Sequence, residues 1–461
     1  MELTGRNALV LGLGMTGLSM ARWLRHRGAR VRVADTRETP PCAAQLRREL
    51  PDVPVATGAF RPDIFEKVDL IAISPGVPAA EPLVQEATGR GVPLLGDIEL
   101  FAQALPGIAA AKVLAITGSN GKSTVTEMTG AMCRQAGLGT LVAGNIGLPV
   151  LDVLLDLERG ATAGERKPDV FVLELSSFQL ETTHSLDAHV AACLNLSEDH
   201  LDRYSGMTGY ADAKARIFRG GGIQVLNRLD VWCRSMSIPG RTVLTFGLDE
   251  PSSEREWGLT EWQGETWLAQ GAQRLMRVSQ LRVAGLHNAS NALAALALAR
   301  AIELPYESLL QALAEFEGLP HRVQKVGEID GIGFYDDSKG TNVGATVAAL
   351  NGMRQKVVLI AGGDGKGQDF TPLEPVVAAH ARAVVLIGRD GEQIARAIAG
   401  SGVPIQRAHD MQEAVQMSLD AAREGDVVLL SPACASFDMF RNYEHRAQVF
   451  VQSVQDLAGA R

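Results

Sequence analysis

The sequence predicts an α/β protein of three successive units, and three observations carry that prediction. Short apolar runs recur along the chain, as buried parallel strands require. Each run ends in a loop rich in Gly, Ser, Asn or Asp, and a stretch of helical period follows, the rhythm of doubly wound sheets. A chain of 461 residues also exceeds what one ordinary core organises, and the runs group into residues 1–106, 107–318 and 319–461.

In the first unit "NALVLGLG" is a buried strand, "TGLSMARWLRHRG" a helix closed by Gly, "ARVRVAD" a strand ending on Asp35, and "DLIAISPGVP" a third strand stopped at Pro75-Gly76. The second unit opens with "KVLAITGSNGKST", strand, loop and helix. "TLVAGNIG", "DVFVLELSS" and "VAACLNLSEDH" follow, each placing polar residues past the carboxyl end of an apolar strand. Residues 240–280 are less regular, with strand-like pieces such as "TWLAQGAQRLMRV", and "NASNALAALALARAIE" is the helix that completes this unit's core. The third unit repeats the strand-to-polar-loop pattern in "GIGFYDDSKGTN", "KVVLIAGGDGKG", "AVVLIGRDG" and "DVVLLSPACASFD".

Composition narrows the function classes. A net charge of −9 disfavours a general nucleic-acid binder, while leaving room for an anionic ligand held by backbone N–H groups. The five cysteines, Cys42, Cys133, Cys193, Cys233 and Cys434, form no CxxC pair, so they read as buried thiols of a reducing compartment, not as a disulfide frame or zinc site. The start, "MELTGRNALV", lacks the shape of a signal peptide, and no apolar span is long enough to cross a bilayer. The expected location is the cytoplasm, with no membrane partner and a monomeric state.

Two glycine clusters suggest phosphate. Gly12-x-Gly14-x-x-Gly17 opens the first helix, and Asp35 ends the next strand where a ribose-contacting acid sits. On these residues alone an NAD site and an unliganded tight turn both stand. Gly118-Ser119-Asn120-Gly121-Lys122-Ser123-Thr124 ends like a P-loop but is compressed, because Ile116 stands where the usual pattern has Gly. Its backbone N–H groups and helix dipole favour an anion. Lys122 suits β/γ-phosphates, and Ser123 or Thr124 suits magnesium. Glu174, at a strand end beside this loop, is the carboxylate Mg²⁺ prefers. His200 reads either as a structural hydrogen-bonder or as a ligand, and Lys214 reads as a surface helix lysine. Asn288 and Asn291 lie one turn apart at a helix start, where Asn caps. His321, Arg322, Asp337, Lys339, Thr341 and Lys366 collect cations and polar groups on loop edges of the third unit.

"GSNGKST", "GNIG", "LELSSFQLE", "NLSEDHLDRY", "YADAKARIF", "HNASNALAA", "GLPHR", "DDSKGTN" and "GGDGKG" occur in that order. As a set they resemble the bacterial Mur ligases, ATP-dependent amino-acid ligases of peptidoglycan synthesis, over essentially the whole chain. The resemblance implies an N-terminal Rossmann-like domain, a central P-loop ATPase-like domain and a C-terminal Rossmann-like domain. "GLGMTGLS…DTRETPP" and "LLSPACASFDMFRNYEHR" narrow it to the member joining D-glutamate to UDP-N-acetylmuramoyl-L-alanine.

That resemblance makes the first glycine cluster a UDP site, not an NAD site. Carried over position by position, Met15, Thr16, Asp35, Thr36, Arg37 and Gly76 would line it, and Asn145, Ser176 and Gln179 would follow the muramoyl-alanine arm. ATP would meet Gly118, Asn120, Gly121, Lys122, Ser123 and Thr124, with Asn291, Arg322 and Asp337 towards the nucleoside. Mg²⁺ would sit among Ser123, Thr124, Glu174, His200 and a carbamylated Lys214, which reverses the surface reading of that lysine. Glutamate would meet His200, Thr341, Lys366, Ser436 and Tyr443; the family allows Phe at this last position. Lys122, His200, Lys214 and Lys339 would be catalytic, with Lys339 near the transferring phosphate.

Overall fold

The protein is described here from a computed structural model covering residues 2–160, 167–200, 203–283, 285–353 and 355–459. Three sheets follow one another along the chain, five-stranded, nine-stranded and six-stranded.

In the first sheet Asn7–Leu11 is central, flanked by Arg30–Asp35 and Val55–Thr57 on one side and by Leu70–Ile73 and Leu94–Leu95 on the other. All neighbours are parallel. The strand order reverses beside Asn7–Leu11, so a crevice opens at its carboxyl end, where the glycine turn lies. Gly12 holds φ +88°, and a Cβ on Gly17 would fall 1.8 Å from the Gly12 carbonyl oxygen, so the helix Met15–His26 packs on the turn without intervening atoms. Val55–Thr57 and Leu94–Leu95 extend the sheet beyond the strands legible in the sequence.

In the second sheet the parallel core runs Thr140–Gly144, Val170–Glu174, Lys112–Thr117, Val190–Cys193, Ile223–Asn227 and Val243–Phe246. The irregular region 240–280 is a continuation of this sheet. Glu256–Trp262 joins it in parallel, and Glu265–Gln270 and Gln273–Arg277 add an antiparallel meander. The alanine-rich helix Leu286–Ala301 packs on the sheet, and a further helix, Tyr306–Glu315, follows it.

The third sheet orders Gln324–Ile329, Ile332–Asp336, Val427–Leu430, Val357–Gly362, Ala381–Ile387 and Ile405–Arg407, with only the first pair antiparallel. Its two apolar clusters contain only third-unit residues, from Val323 onwards. One cluster instead runs continuously from Leu3 to Met236, joining the first and second units. All five cysteines are buried. Among the described residues no helix is long and apolar enough to cross a membrane.

Candidate active site

The site is assembled where strands of the second and third sheets end. Thr117, Glu174 and Cys193 close three adjacent parallel strands, and the phosphate loop, Asn145 and the 194–200 loop follow strand ends of this sheet. Gly121 caps the helix Lys122–Gln135 at φ +82°, with no side-chain cap competing for the first-turn N–H groups. The Ser119 amide donates to the Asn195 carbonyl at 2.8 Å, and the Asn120 amide donates to the Asn195 side chain at 2.8 Å, so the loop is clamped to the neighbouring strand edge.

Cations crowd this loop. Lys122 Nζ donates to the carbonyls of Gly118 and Ser119, both at 2.8 Å. Burial lowers its pKa, and Glu174 and Asp199 oppose that. Lys214, on the helix Met207–Ala215, is 1% exposed, so the surface reading of that residue fails. Its Nζ donates to the Gly118 carbonyl at 2.8 Å and to Thr117 Oγ1 at 3.3 Å. Burial and then the charge of Lys122 bring its pKa down to about 7. From the third unit, Arg322 Nη2 donates to Ser123 Oγ at 2.9 Å. Lys339 lies over the Tyr443 ring at 3.7 Å, and burial and then Arg322 lower its pKa to about 8.

Glu174 is 2% exposed. Its Oε1 accepts from Asn145 Nδ2 at 2.8 Å, and its Oε2 is buried with no partner among the described residues. An orphaned carboxylate oxygen within electrostatic reach of Lys122 of the phosphate loop suits Mg²⁺. No cluster of three or more His, Cys, Asp or Glu side chains positioned for a metal occurs among the described residues. Mg²⁺ does not need one, because it takes one or two carboxylates and completes its shell with phosphate and water.

A cavity of about 280 Å³ opens beside the loop, bordered by Asn120, Gly121, Thr124, Asn291, Arg322 and Asp337. These are six of the nine residues expected to meet ATP. Burial, opposed by the hydrogen bond from Ser431, pushes Asp337 up to about 7. Sequence reasoning missed His287, which also borders the cavity; it precedes Asn288 and carried no signal of its own.

Four of the five expected glutamate residues, His200, Thr341, Lys366 and Ser436, stand on loops, and the fifth, Tyr443, starts a helix. The Ala433 amide donates to the Gly340 carbonyl, and Asp364 and Ala435 exchange backbone hydrogen bonds of 2.9 and 2.8 Å, which ties the loops of Thr341, Lys366 and Ser436 together. Ser436 is buried, and Tyr443 begins the last helix. Arg446, fully buried, donates to Ser338 Oγ, to the Ser338 carbonyl and to the Cys434 carbonyl, and so holds two of these loops against that helix. His200 stands in the loop seven residues past Cys193, with backbone φ 56°, and its ring lies 4.6 Å from that of Phe178, tilted by 60°.

The first-unit candidates divide into two groups. Thr36, Arg37 and Gly76 are exposed along the crevice with Met15, and Thr16 is partly exposed beside them. Asp35 is 2% exposed, and protein donors engage both its oxygens: Oδ2 accepts from the Leu13 amide at 2.6 Å, and Oδ1 accepts from Arg37 Nε at 2.8 Å. Burial pushes its pKa up, but Arg37 and Leu13 outweigh that and hold it low. Ser176 and Gln179 form a capping box with each other, and Gln179 Nε2 donates to buried Asp97 at 2.9 Å. Their side chains support the wall between the first two units.

Family models match along this scaffold: Mur ligase MurD-like N-terminal domain at residues 6–96, Mur ligase middle domain at 116–299 and Mur ligase glutamate ligase domain at 321–434. The chain belongs to the Mur ligase family. UDP-N-acetylmuramoylalanine–D-glutamate ligase of Thiobacillus denitrificans is 59% identical across all of this chain and 98% of its own. The protein of the same name from Methylobacillus flagellatus is 58% identical across 99% of this chain and 98% of its own. In fold the chain is similar to the UDP-N-acetylmuramate-alanine ligase of Thermotoga maritima, with a TM-score of 0.62 at 20% identity, covering 98% of this chain and 99% of that one. Within this Mur ligase, Lys122, Ser123, Thr124, Glu174, Lys214 and Arg322 stand around one loop. The UDP-site candidates lie across the first crevice.

Proposed function

We propose that this Mur ligase joins D-glutamate to UDP-N-acetylmuramoyl-L-alanine, with hydrolysis of ATP to ADP and phosphate, in the cytoplasmic synthesis of peptidoglycan precursors. The observation that carries the reading is that third-unit cations gather at this site, Arg322 and Lys339 at the phosphate loop and Lys366 on Asp199 of the adjoining loop. High identity to ligases of that name, over full length, supports this choice of substrates.

A carboxylate is a poor acyl donor at neutral pH. The alanyl carboxylate oxygen attacks the γ-phosphorus of ATP, the bond to the β-phosphate oxygen breaks, and an acyl phosphate and ADP result. The glutamate amine then attacks the acyl carbon, the phosphate leaves, and the amine loses a proton. Triphosphate, substrate carboxylate and amino acid are all anions, so the protein's task is to align them and offset their repulsion. Lys122 turns from its loop carbonyls to the β/γ-phosphates. Arg322, Asn291 and Asp337 hold the nucleoside end. Lys339, kept on the Tyr443 ring, faces the transferring phosphate, and its lowered pKa keeps the ammonium form in balance with the amine near pH 8.

Mg²⁺, when bound, supplies charge neutralisation of the phosphates, and Glu174, Ser123, Thr124 and His200 would hold it. Lys214 joins that set as its carbamate. A buried lysine with its pKa near 7 keeps the neutral amine that adds CO₂ and releases a proton. His200, Thr341, Lys366, Ser436 and Tyr443 would meet the glutamate. Met15, Thr16, Thr36, Arg37 and Gly76 would line the UDP directly, with Asp35 acting through Arg37 and the Leu13 amide. Asn145, Ser176 and Gln179 would shape the muramoyl-alanine arm. Residues 1–106, 107–318 and 319–461 thus divide the work among nucleotide sugar, ATP and amino acid. We read the enzyme as a monomer.

Phosphate release from ATP, with the nucleotide sugar present and D-glutamate, L-glutamate or no amino acid added, tests the reading. Release that requires both the sugar and D-glutamate is expected. Release with L-glutamate alone would reverse the stereochemical assignment, and no release with either would overturn the reaction.

A further inference from the structure

Asp199 holds a position that the reaction above does not use. It lies on the loop after Val190–Cys193, 7% exposed, and the third unit supplies its partners across the cleft. Oδ1 pairs with Lys366 Nζ at 3.3 Å, and Oδ2 accepts from Asn342 Nδ2 at 3.3 Å. From its own unit it has the adjacent His200, whose amide donates to Oδ1 at 3.0 Å and whose Nε2 stands 3.6 Å from Oδ2.

Both sides of the contact are pre-shaped. His200 and Lys366 carry φ of 56° and 51°, left-handed values that cost a non-glycine residue energy and persist where the surroundings impose them. The Lys366 amide donates to Asp364 Oδ1 at 3.1 Å, which fixes the loop tip that carries the ammonium. A carboxylate this buried needs a cation or donors, and the Lys366 ammonium, the Asn342 side-chain amide and the His200 backbone amide supply them. The ion pair spans 167 residues of sequence.

We propose that Asp199 is a stand-in for the carboxylate of the incoming amino acid: it occupies the Lys366 ammonium until glutamate displaces it. The inference rests on the reading of Lys366 as a glutamate-binding cation. While Asp199 stands 3.3 Å from the Lys366 ammonium, its negative charge repels a second carboxylate from the same place. Glutamate therefore binds only to molecules whose Lys366 has left Asp199, and its apparent affinity falls by that fraction. An amino acid without a correctly placed carboxylate cannot make the exchange, so the residue also sets specificity.

The alternative role, Asp199 steering Lys366 towards glutamate, has the opposite sign. The experiment is calorimetric titration of D-glutamate into the full chain, saturated with UDP-N-acetylmuramoyl-L-alanine and a non-hydrolysable ATP analogue. Wild type is compared with Asp199→Asn, which keeps the hydrogen-bond positions, and with Asp199→Ser, which removes the carboxylate in a second way. Both variants should bind D-glutamate about fivefold more tightly, the weight of a single ion pair as long as 3.3 Å, with affinity for the nucleotide sugar unchanged. Unchanged or weaker glutamate binding in folded variants overturns the proposal while leaving the ligase reading intact. Wild-type protein that takes up no D-glutamate overturns both.

Discussion

Lys122 folds its ammonium back onto two loop carbonyls, an arrangement in which the loop surrounds the space a phosphate oxygen fills. Replacement by Ala removes a cation placed against charge that grows during phosphoryl transfer. Turnover should fall on the order of 10²-fold or more; steady-state phosphate release within threefold of wild type would refute the assignment. Lys122 was legible because the loop that presents it is continuous in sequence. Asp97, Asp199 and Arg446 were not, since each depends on a partner 82 to 167 residues away. Asp97 yields a separate prediction. Burial, opposed by the Gln179 hydrogen bond, raises its pKa to about 6, and its Oδ1 is buried without a partner among the described residues. With the folded pKa above the unfolded one, its stability contribution is complete below about pH 4 and disappears as pH rises through 6. Asp97→Asn keeps the acceptor for Gln179 and removes the charge. Relative to wild type it should gain about 1–2 kcal/mol between pH 4.5 and 7.5. Paired denaturant titrations at the two pH values measure this, and a gap that does not widen means the carboxyl titrates normally in the fold.

At the scale of elements, the junction of the strand Lys112–Thr117 with the helix Lys122–Gln135 decides nucleotide binding. Gly121 adopts φ +82°, and a Cβ there would come within 2.4 Å of Asn291 Oδ1. Gly121→Ala therefore meets backbone strain and a clash with the helix Leu286–Ala301 together. ATP affinity should fall at least about tenfold, from a cost above roughly 1.4 kcal/mol, with nucleotide-sugar affinity preserved. Fluorescent-nucleotide titration checks the first and calorimetry the second; equal loss of both ligands would indicate unfolding, not a local defect. Parallel strands buried on both faces announced themselves as apolar runs. The meander from Glu256 to Arg277 did so only in part: "TWLAQGAQRLMRV" read as strand-like and covers its last two strands, while Glu256–Trp262, mixing polar and apolar residues at a partly exposed edge, did not. Val55–Thr57 and Leu94–Leu95 were too short to show a period.

Across the whole molecule, the two junctions between units differ in kind. The first and second units share a continuous apolar cluster and buried polar contacts. Gln179 meets Asp97, Glu99 accepts the His184 and Ser185 amides, and Arg22 pairs with Asp152 at 2.9 Å. Arg203, stacked on Phe178, adds a hydrogen bond to the Pro75 carbonyl. The third unit keeps its apolar clusters to itself and reaches the second through polar pairs at the site: Arg322 to Ser123, Asn342 to Asn120, and Lys366 to Asp199. Such contacts break and re-form with little loss of buried apolar area, so the third unit is the one expected to rotate. Between the helix Tyr306–Glu315 and the strand Gln324–Ile329, Gly318, His321 and Val323 have φ of +94°, 62° and 49°. Three left-handed residues within six positions make residues 315–323 the segment where a change of backbone angle would be absorbed. Closure there would exclude water from the acyl phosphate. Small-angle scattering with ATP analogue and nucleotide sugar together should show a smaller radius of gyration than protein alone. Pro substituted for Val323, whose positive φ proline cannot adopt, should shift the unliganded radius. Identical profiles with and without ligands would mean that the third unit is fixed, and that water is kept out by the loops alone.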